Sequence, residues 1–281
     1  MAKSPTRPGL PAASSVVEKI VFVPARTAPQ LARISAPAPG AATSAAAPAY
    51  MILRTNEVDP YDVAMPRAAV PSIGAPAAAA PAAAKPAPVG DKFGGKDRKA
   101  AKLSTGNGAI EVFVDVAALI KTLPSTAAMK KHVPKIGTDA GSGRVTEEQR
   151  NVRVRGFIYA ASREGDNDFH VMLGRDPAKK PPMYFNMEIS GLPPAGAKAL
   201  ARLKKVRDDY KTFFTTPHVP KLKLPGMSYD FYDPPIPVEV EGSLFFDMTH
   251  ASGVGPGPQS LHKDIPTIWE IHPVTKIVFE P

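Results

Sequence analysis

From residue 151 onward, apolar and polar positions alternate in short runs. In NVRVRGFIYAAS, Val152, Val154, Ile158 and Ala160 stand against Arg153, Arg155, Phe157 and Tyr159, the period of two that gives a strand one buried face. The turn EGDND follows, then FHVMLGRD sets Phe169, Val171 and Leu173 against His170 and Met172, and after a Lys/Pro turn MYFNMEIS (183–190) predicts a third strand. The short connections predict an antiparallel meander. The period then changes. Leu200, Leu203, Val206 and Tyr210 recur at three and four behind a Pro start, with basic residues opposite, which predicts an amphipathic helix. The Pro-rich stretch 217–237 reads as a loop. IPVEVEGSLFFD then buries Val238, Val240, Leu244 and Phe246, and IWEIHPVTKIVF (268–279) makes the closing strand. Ahead of this domain, AIEVFVDVAALIKTL (109–123) sets Ile110, Val112 and Val114 against Glu111, Phe113 and Asp115 before helical spacing begins. It predicts a short strand and a short helix, followed by the flexible loop GTDAGSG (137–143).

Three strands, one helix and two strands on about 130 residues predict a mostly β fold: a five-stranded OB-like Greek-key barrel with its helix between strands 3 and 4. A six-stranded sandwich is the alternative. Gly156 and Gly242 fall mid-strand, where a small barrel needs a bulge or tight coiling.

Composition separates this domain from what precedes it. Residues 1–100 contain 15 Pro and 27 Ala, too few periodic apolar positions to offset their ordering entropy. The organisation expected is a disordered Ala/Pro-rich basic arm over 1–108, a strand-helix extension and loop over 109–150, and the OB-like barrel over 151–281. Two islands break the arm, Val16–Val23 and YMILRTNEVDPY (50–61), each a docking motif or a chance apolar cluster. No repeat is visible.

The net charge is +9, of which the first 100 residues hold +6. The arm's charges are dispersed, unlike the blocks that mark nucleic-acid arms. Protein or nucleic-acid partners, through the arm or the barrel face, are the expected classes. The absence of Cys removes disulfides, thiolate catalysis and Cys-based zinc sites. Glu18 and Lys19 interrupt the only early apolar run, and no stretch reaches the roughly 20 apolar residues of a membrane span. A cytoplasmic location with no transmembrane segment is expected.

Candidate chemistry gathers where the barrel topology would bring loops together. Asp166, Asp168 and His170 follow the first turn, Asp247 and His250 end the fourth strand, and Glu270 and His272 start the fifth. Residues two apart on a strand point the same way, so Asp168 with His170 and Glu270 with His272 would converge at one rim. Carboxylates with imidazoles suit a divalent metal, making Asp168, His170, Asp247, His250, Glu270 and His272 the candidate ligands; the same groups supply a general acid and base. They equally suit a network of loop-locking hydrogen bonds or a metal-free ligand rim. Arg153, Arg155, Phe157 and Tyr159, with Asp166 at the rim, make a second candidate surface, since basic residues interleaved with aromatics hold single strands on OB barrels. The Gly/Pro-rich loop ASGVGPGPQSLH (251–262) would be a mobile cover or a plain exposed turn.

The stretches GDNDFHVML (165–173), VEVEGSLFFDMTH (238–250) and WEIHPV (269–274) resemble a group of uncharacterised bacterial proteins. Those carry acidic-x-acidic-x-His, Phe-Phe-Asp-x-x-His and Glu-x-His-Pro-Val. The resemblance covers about 150–281 and implies that Asp166, Asp168, His170, Asp247, His250, Glu270 and His272 are pattern positions, with no activity attached. Three functions remain in view: a binding or interaction module of unknown ligand, a metal-dependent hydrolase of phosphodiesterase or nuclease type, and a single-stranded nucleic-acid binder.

Overall fold

The computed structural model describes residues 16–22, 50–59, 90–215, 224–252 and 255–279. In chain order the elements are β1 (Val16–Phe22), β2 (Tyr50–Thr55), α1 (Lys99–Lys102), β3 (Ile110–Phe113), α2 (Val116–Ile120), α3 (Thr126–Lys130), β4 (Asn151–Arg163), β5 (Phe169–Gly174), β6 (Tyr184–Ile189), α4 (Leu200–Thr215), β7 (Asp230–Phe246) and β8 (Trp269–Phe279), with short 3₁₀ turns between. The fold is mostly β with few helices. Its strands form one mixed sheet in the order β1-β2-β7-β8-β6-β5-β4-β3, and β7 pairs a second time, with β4. β3–β4 and β6–β8 are parallel and the other pairs antiparallel. The expectation of a five-stranded barrel is thereby corrected, because the sheet has eight strands. β1, β2 and β3 extend it at the open backbone edges that a sheet offers to any neighbouring extended segment.

Two of those added strands fall in the stretch expected as a disordered arm. β2 pairs with the start of β7 through Met51↔Asp233 to Arg54↔Asp230, and Tyr50 and Ile52 are buried. The island at 50–59 therefore docks on its own chain. Residues 90–108 also belong to the fold: Phe93 is buried, and the Arg98 guanidinium pairs with Glu148. The remaining arm positions lie outside the described residues.

The strand predictions hold best where alternation is clean. Val152, Val154 and Ile158 are buried as expected, but Tyr159 is buried too, because a register shift between Ile158 and Ala160 turns it inward. β7 starts at Asp230, inside the stretch read as a loop. The pairing with β4 jumps from Ile236 to Phe231, so Pro234 and Pro235 sit where no β4 residue needs a donor from them. In β3, Ile110 and Val112 face solvent and Phe113 packs on the core, the reverse of the expected alternation.

The main core takes Phe169, Val171, Phe185, Met187, Trp269 and Ile271 from β5, β6 and β8, with Val206, Tyr210 and Phe214 of α4. Phe213 stacks on Phe279 with ring centroids 3.7 Å apart. Every residue of β5 and β6 is buried, so their second face is covered as well, and that face carries the polar residues. Among the described residues no helix is long and apolar enough to cross a membrane.

Candidate metal centre

Alternation on three neighbouring strands builds the centre. Phe169 and Val171 of β5, Phe185 and Met187 of β6, and Trp269 and Ile271 of β8 point into the core, which sends His170, Asn186, Glu188, Glu270 and His272 to the opposite face. Register then aligns them: His170 pairs with Glu188, and Asn186 pairs with Glu270. Asp168 stands just ahead of β5, anchored where its Oδ1 accepts the Gly191 N–H at 2.6 Å. All six residues are at most 2% exposed.

The covering comes from segments distant in sequence. Gly94 donates to the Asp166 carbonyl at 2.7 Å, and Lys102 of α1 brings its Nζ within 3.6 Å of Asp166 Oδ2 and 3.8 Å of Glu188 Oε2. Behind β2, Asp59 accepts the Gly257 N–H at 2.8 Å and lies 3.4 Å from His250 Nε2 and 3.5 Å from His170 Nδ1. Asp247, just past β7, holds His250 Nδ1 at 2.5 Å and accepts the Thr249 N–H at 2.7 Å.

Within the cluster, His272 Nδ1 lies 2.7 Å from Glu188 Oε2 and 3.2 Å from Glu270 Oε1, with its Nε2 3.0 Å from Ser190 Oγ and 3.5 Å from Asp168 Oδ2. His170 Nε2 is 3.5 Å from Glu188 Oε1, while its Nδ1 faces the Tyr229 hydroxyl at 2.9 Å and pairs with Glu164. Asn186 donates to Glu270 Oε2 at 2.7 Å. Asp168 Oδ2 and His170 Nε2 are buried and make no hydrogen bond. Buried polar atoms of that kind cost about 1–3 kcal/mol each, more for charged groups.

Crowding of like charges shapes the protonation. Burial, with Asp166 and Glu188 alongside, pushes the Asp168 carboxyl well above the ordinary range, and burial with Glu188 and Asp247 does the same to Glu270. Burial opposes the charge on Glu188 as well, but His272 and Lys102 outweigh it and hold that carboxyl well below its usual value. Burial lowers His272, against the opposing pull of Glu188. His250 is also desolvated, yet its bonds to Asp247 and Asp59 prevail and raise it to about 10.

The expected convergence is thus observed for Asp168, His170, Glu270 and His272. Asp247 and His250 form a separate pair at the edge, joined through Asp59. Asp166 sits beside Lys102. The groups lie on a covered strand face and not on an open loop rim. Sequence reasoning missed Glu188, Asn186, Glu164, Asp59 and Lys102. Asn186 and Glu188 carried a usable signal, since they alternate with Phe185, Met187 and Ile189 in MYFNMEIS; Asp59 and Lys102 carried none.

The second candidate surface is differently disposed. Arg153 and Arg155 face Glu241 and Glu239 across the β4–β7 ladder, with Arg153 paired to Glu241 at 2.8 Å and Arg155 Nε 3.4 Å from Glu239 Oε2. Tyr159 is buried, donates to the Arg175 carbonyl at 2.8 Å and meets Tyr184 edge-on. Their positive charge is largely matched and one of the two rings is withdrawn from any stacking role. In the loop 251–262, Leu261 is buried and His262 Nε2 lies 2.7 Å from the Gly257 carbonyl.

Beside the centre lies a cavity of 270 Å³ whose lining includes Lys102, Thr138, Phe245, Asp247 and Thr249. A larger cavity of 640 Å³, lined by Val152, Val206 and Ile277 among others, shares no residue with the centre. No family model, curated protein or solved structure matches the chain.

Proposed function

We propose that this protein is a divalent-metal-binding module, with Asp168, Glu188 and His272 as principal ligands and a first-row ion such as Zn²⁺ or Mn²⁺ as the bound species. The observation that carries this reading is a set of buried, close-set donor atoms: Asp168 Oδ2 and His170 Nε2 are buried without a hydrogen bond, and the ligand atoms of Asp168, Glu188 and His272 lie within 4.8 Å of one another. Carboxylates held that close repel, which pushes the Asp168 and Glu270 carboxyls above their usual range. A cation among them relieves the repulsion and supplies a partner to the unbonded atoms. Carboxylate with imidazole is a donor set for Zn, Mn and Fe.

The scaffold belongs to the same proposal. We read β4, β5, β6, β7 and β8 as an OB-like barrel enlarged by three strands. What supports this is the circuit of pairings β4–β5–β6–β8–β7–β4 and the position of α4 between β6 and β7. In such barrels the outer face of the second and third strands is the ligand face, the side from which His170 and Glu188 project.

Isothermal titration of the chelator-treated full chain with Zn²⁺ and Mn²⁺ tests the reading. A saturable binding isotherm at micromolar metal, weakened at least tenfold by Glu188→Gln, is expected. A flat isotherm in folded protein would leave the cluster as a hydrogen-bonded lock. A second reading, metal-dependent hydrolysis, is favoured by the 270 Å³ cavity that brings solvent space up to Lys102 and Asp247. Turnover of a chromogenic phosphodiester by Mn²⁺-loaded protein is its measure, and none above background discards it.

A further inference from the structure

We infer that the centre holds two divalent ions bridged by Glu188. This inference rests on the metal-binding reading and adds a second position to it. Two donor groups, Asp168 with Glu188 and His272, and His170 with Glu188 and Glu270, each bring their ligand atoms within 4.8 Å. Glu188 is common to both. Its Oε2 lies 2.7 Å from His272 Nδ1 and its Oε1 lies 3.5 Å from His170 Nε2, so the two oxygens of one carboxylate face two different imidazoles.

His170 supplies the independent sign of a second ligand. Its Nδ1 is engaged by Glu164 and by the Tyr229 hydroxyl at 2.9 Å, the outer-shell arrangement that fixes a metal-binding imidazole and aims its other nitrogen. That other nitrogen, Nε2, is buried and bonds to nothing. Because His170 stands on β5 two residues past Asp168, one ion served by Asp168 and His272 leaves Nε2 facing Glu188 Oε1 and Glu270 without an electrophile. A carboxylate bridging two ions about 3.5–4 Å apart satisfies every one of these atoms.

The test is metal stoichiometry in the full chain, reconstituted with Mn²⁺ after chelation and measured by elemental analysis, with electron paramagnetic resonance as a second readout. Two ions per chain and an exchange-coupled signal are expected. Asp168→Asn, which keeps the oxygen that accepts the Gly191 N–H, and His170→Gln should each fall to one ion with an uncoupled six-line spectrum. One ion in the wild type, lost in both variants, overturns the second position and leaves the metal-binding reading intact. No ion in folded wild-type protein overturns both.

Discussion

Arg98→Met removes the cation that anchors the segment carrying Lys102 to the rest of the fold. The Arg98 guanidinium meets Glu148 with both nitrogens, at 2.6 and 2.7 Å, and also donates to the carbonyls of Phe246 at 3.1 Å and Gly143 at 2.8 Å. It lies 4.6 Å from the centroid of the Phe245 ring. Glu148 in turn accepts the Val145 and Phe246 N–H groups, each at 2.9 Å. Both side chains are essentially inaccessible, at 3% and 0% exposure. Truncation leaves a buried carboxylate with two backbone donors and, in place of its bidentate partner, only the charge of Arg144 nearby, a loss of about 3–5 kcal/mol. At about 2–4 °C per kcal/mol for a chain of this size, the thermal midpoint falls by roughly 6–20 °C. Calorimetric melts of the chelator-treated protein read this directly. Arg98→Met/Glu148→Gln, which removes the orphaned charge but keeps an acceptor, should be more stable than the sum of the single changes by at least about 1 kcal/mol. A single variant that costs under 1 kcal/mol, or strict additivity, would refute the view that this pair ties α1 to the sheet.

Two further outcomes are expected. His250 is raised to about 10 from an ordinary 6.5, so its stabilisation is complete below about pH 6.5 and disappears as pH rises through 10. Its partner Asp247 is held below the ordinary carboxylate value, so that contribution is lost only in acid. Urea melts between pH 6 and 10.5 should show falling stability that His250→Asn flattens; equal slopes sink the assignment. Separately, a Cβ on Gly242 would stand 2.3 Å from Ile271 Cγ2 and 2.6 Å from the Pro273 carbonyl oxygen, whereas one on Gly226 meets nothing within 4 Å. Gly242→Ala should cost about 1–3 kcal/mol or more and Gly226→Ala stay within about 0.5 kcal/mol, with identical denaturation curves counting against the observed approach of β7 to β8.

What was legible in the sequence divides along the range of the interactions. Alternation gave β4, β5, β6 and β8 nearly to the residue, and the spacing of Leu203, Val206 and Tyr210 gave α4, because these patterns report a local backbone period against one buried face. The pairing of Asp168 with His170 and of Glu270 with His272 was available for the same reason. Glu188 was overlooked although it obeys that rule, since a lone Glu between Met187 and Ile189 has no adjacent histidine to attract notice. The start of β7 was hidden by Pro234 and Pro235, whose tolerance depends on where β7 parts from β4. Asp59, Lys102 and Arg98 lie 46 residues or more from any strand of the pairing circuit or from Glu148 in sequence, and only tertiary docking assigns them a place.

That docking changes what kind of centre this is. On an open face of β5, β6 and β8, the carboxylates and imidazoles would be solvated and their repulsion screened by water and salt. With α1 and its flanking segment on one side and residues 50–59 on the other, the same groups sit in a closed interior where carboxylates crowd one another. There the like charges and burial push the Asp168 and Glu270 carboxyls well above their usual range. On the proposed metal-binding reading, occupancy by metal and the closing of β2 and α1 over the face favour each other. Ions that bind the covered state alone stabilise it by mass action, so that reading makes residues 50–59 and the segment around α1 the parts whose order would depend most on bound metal.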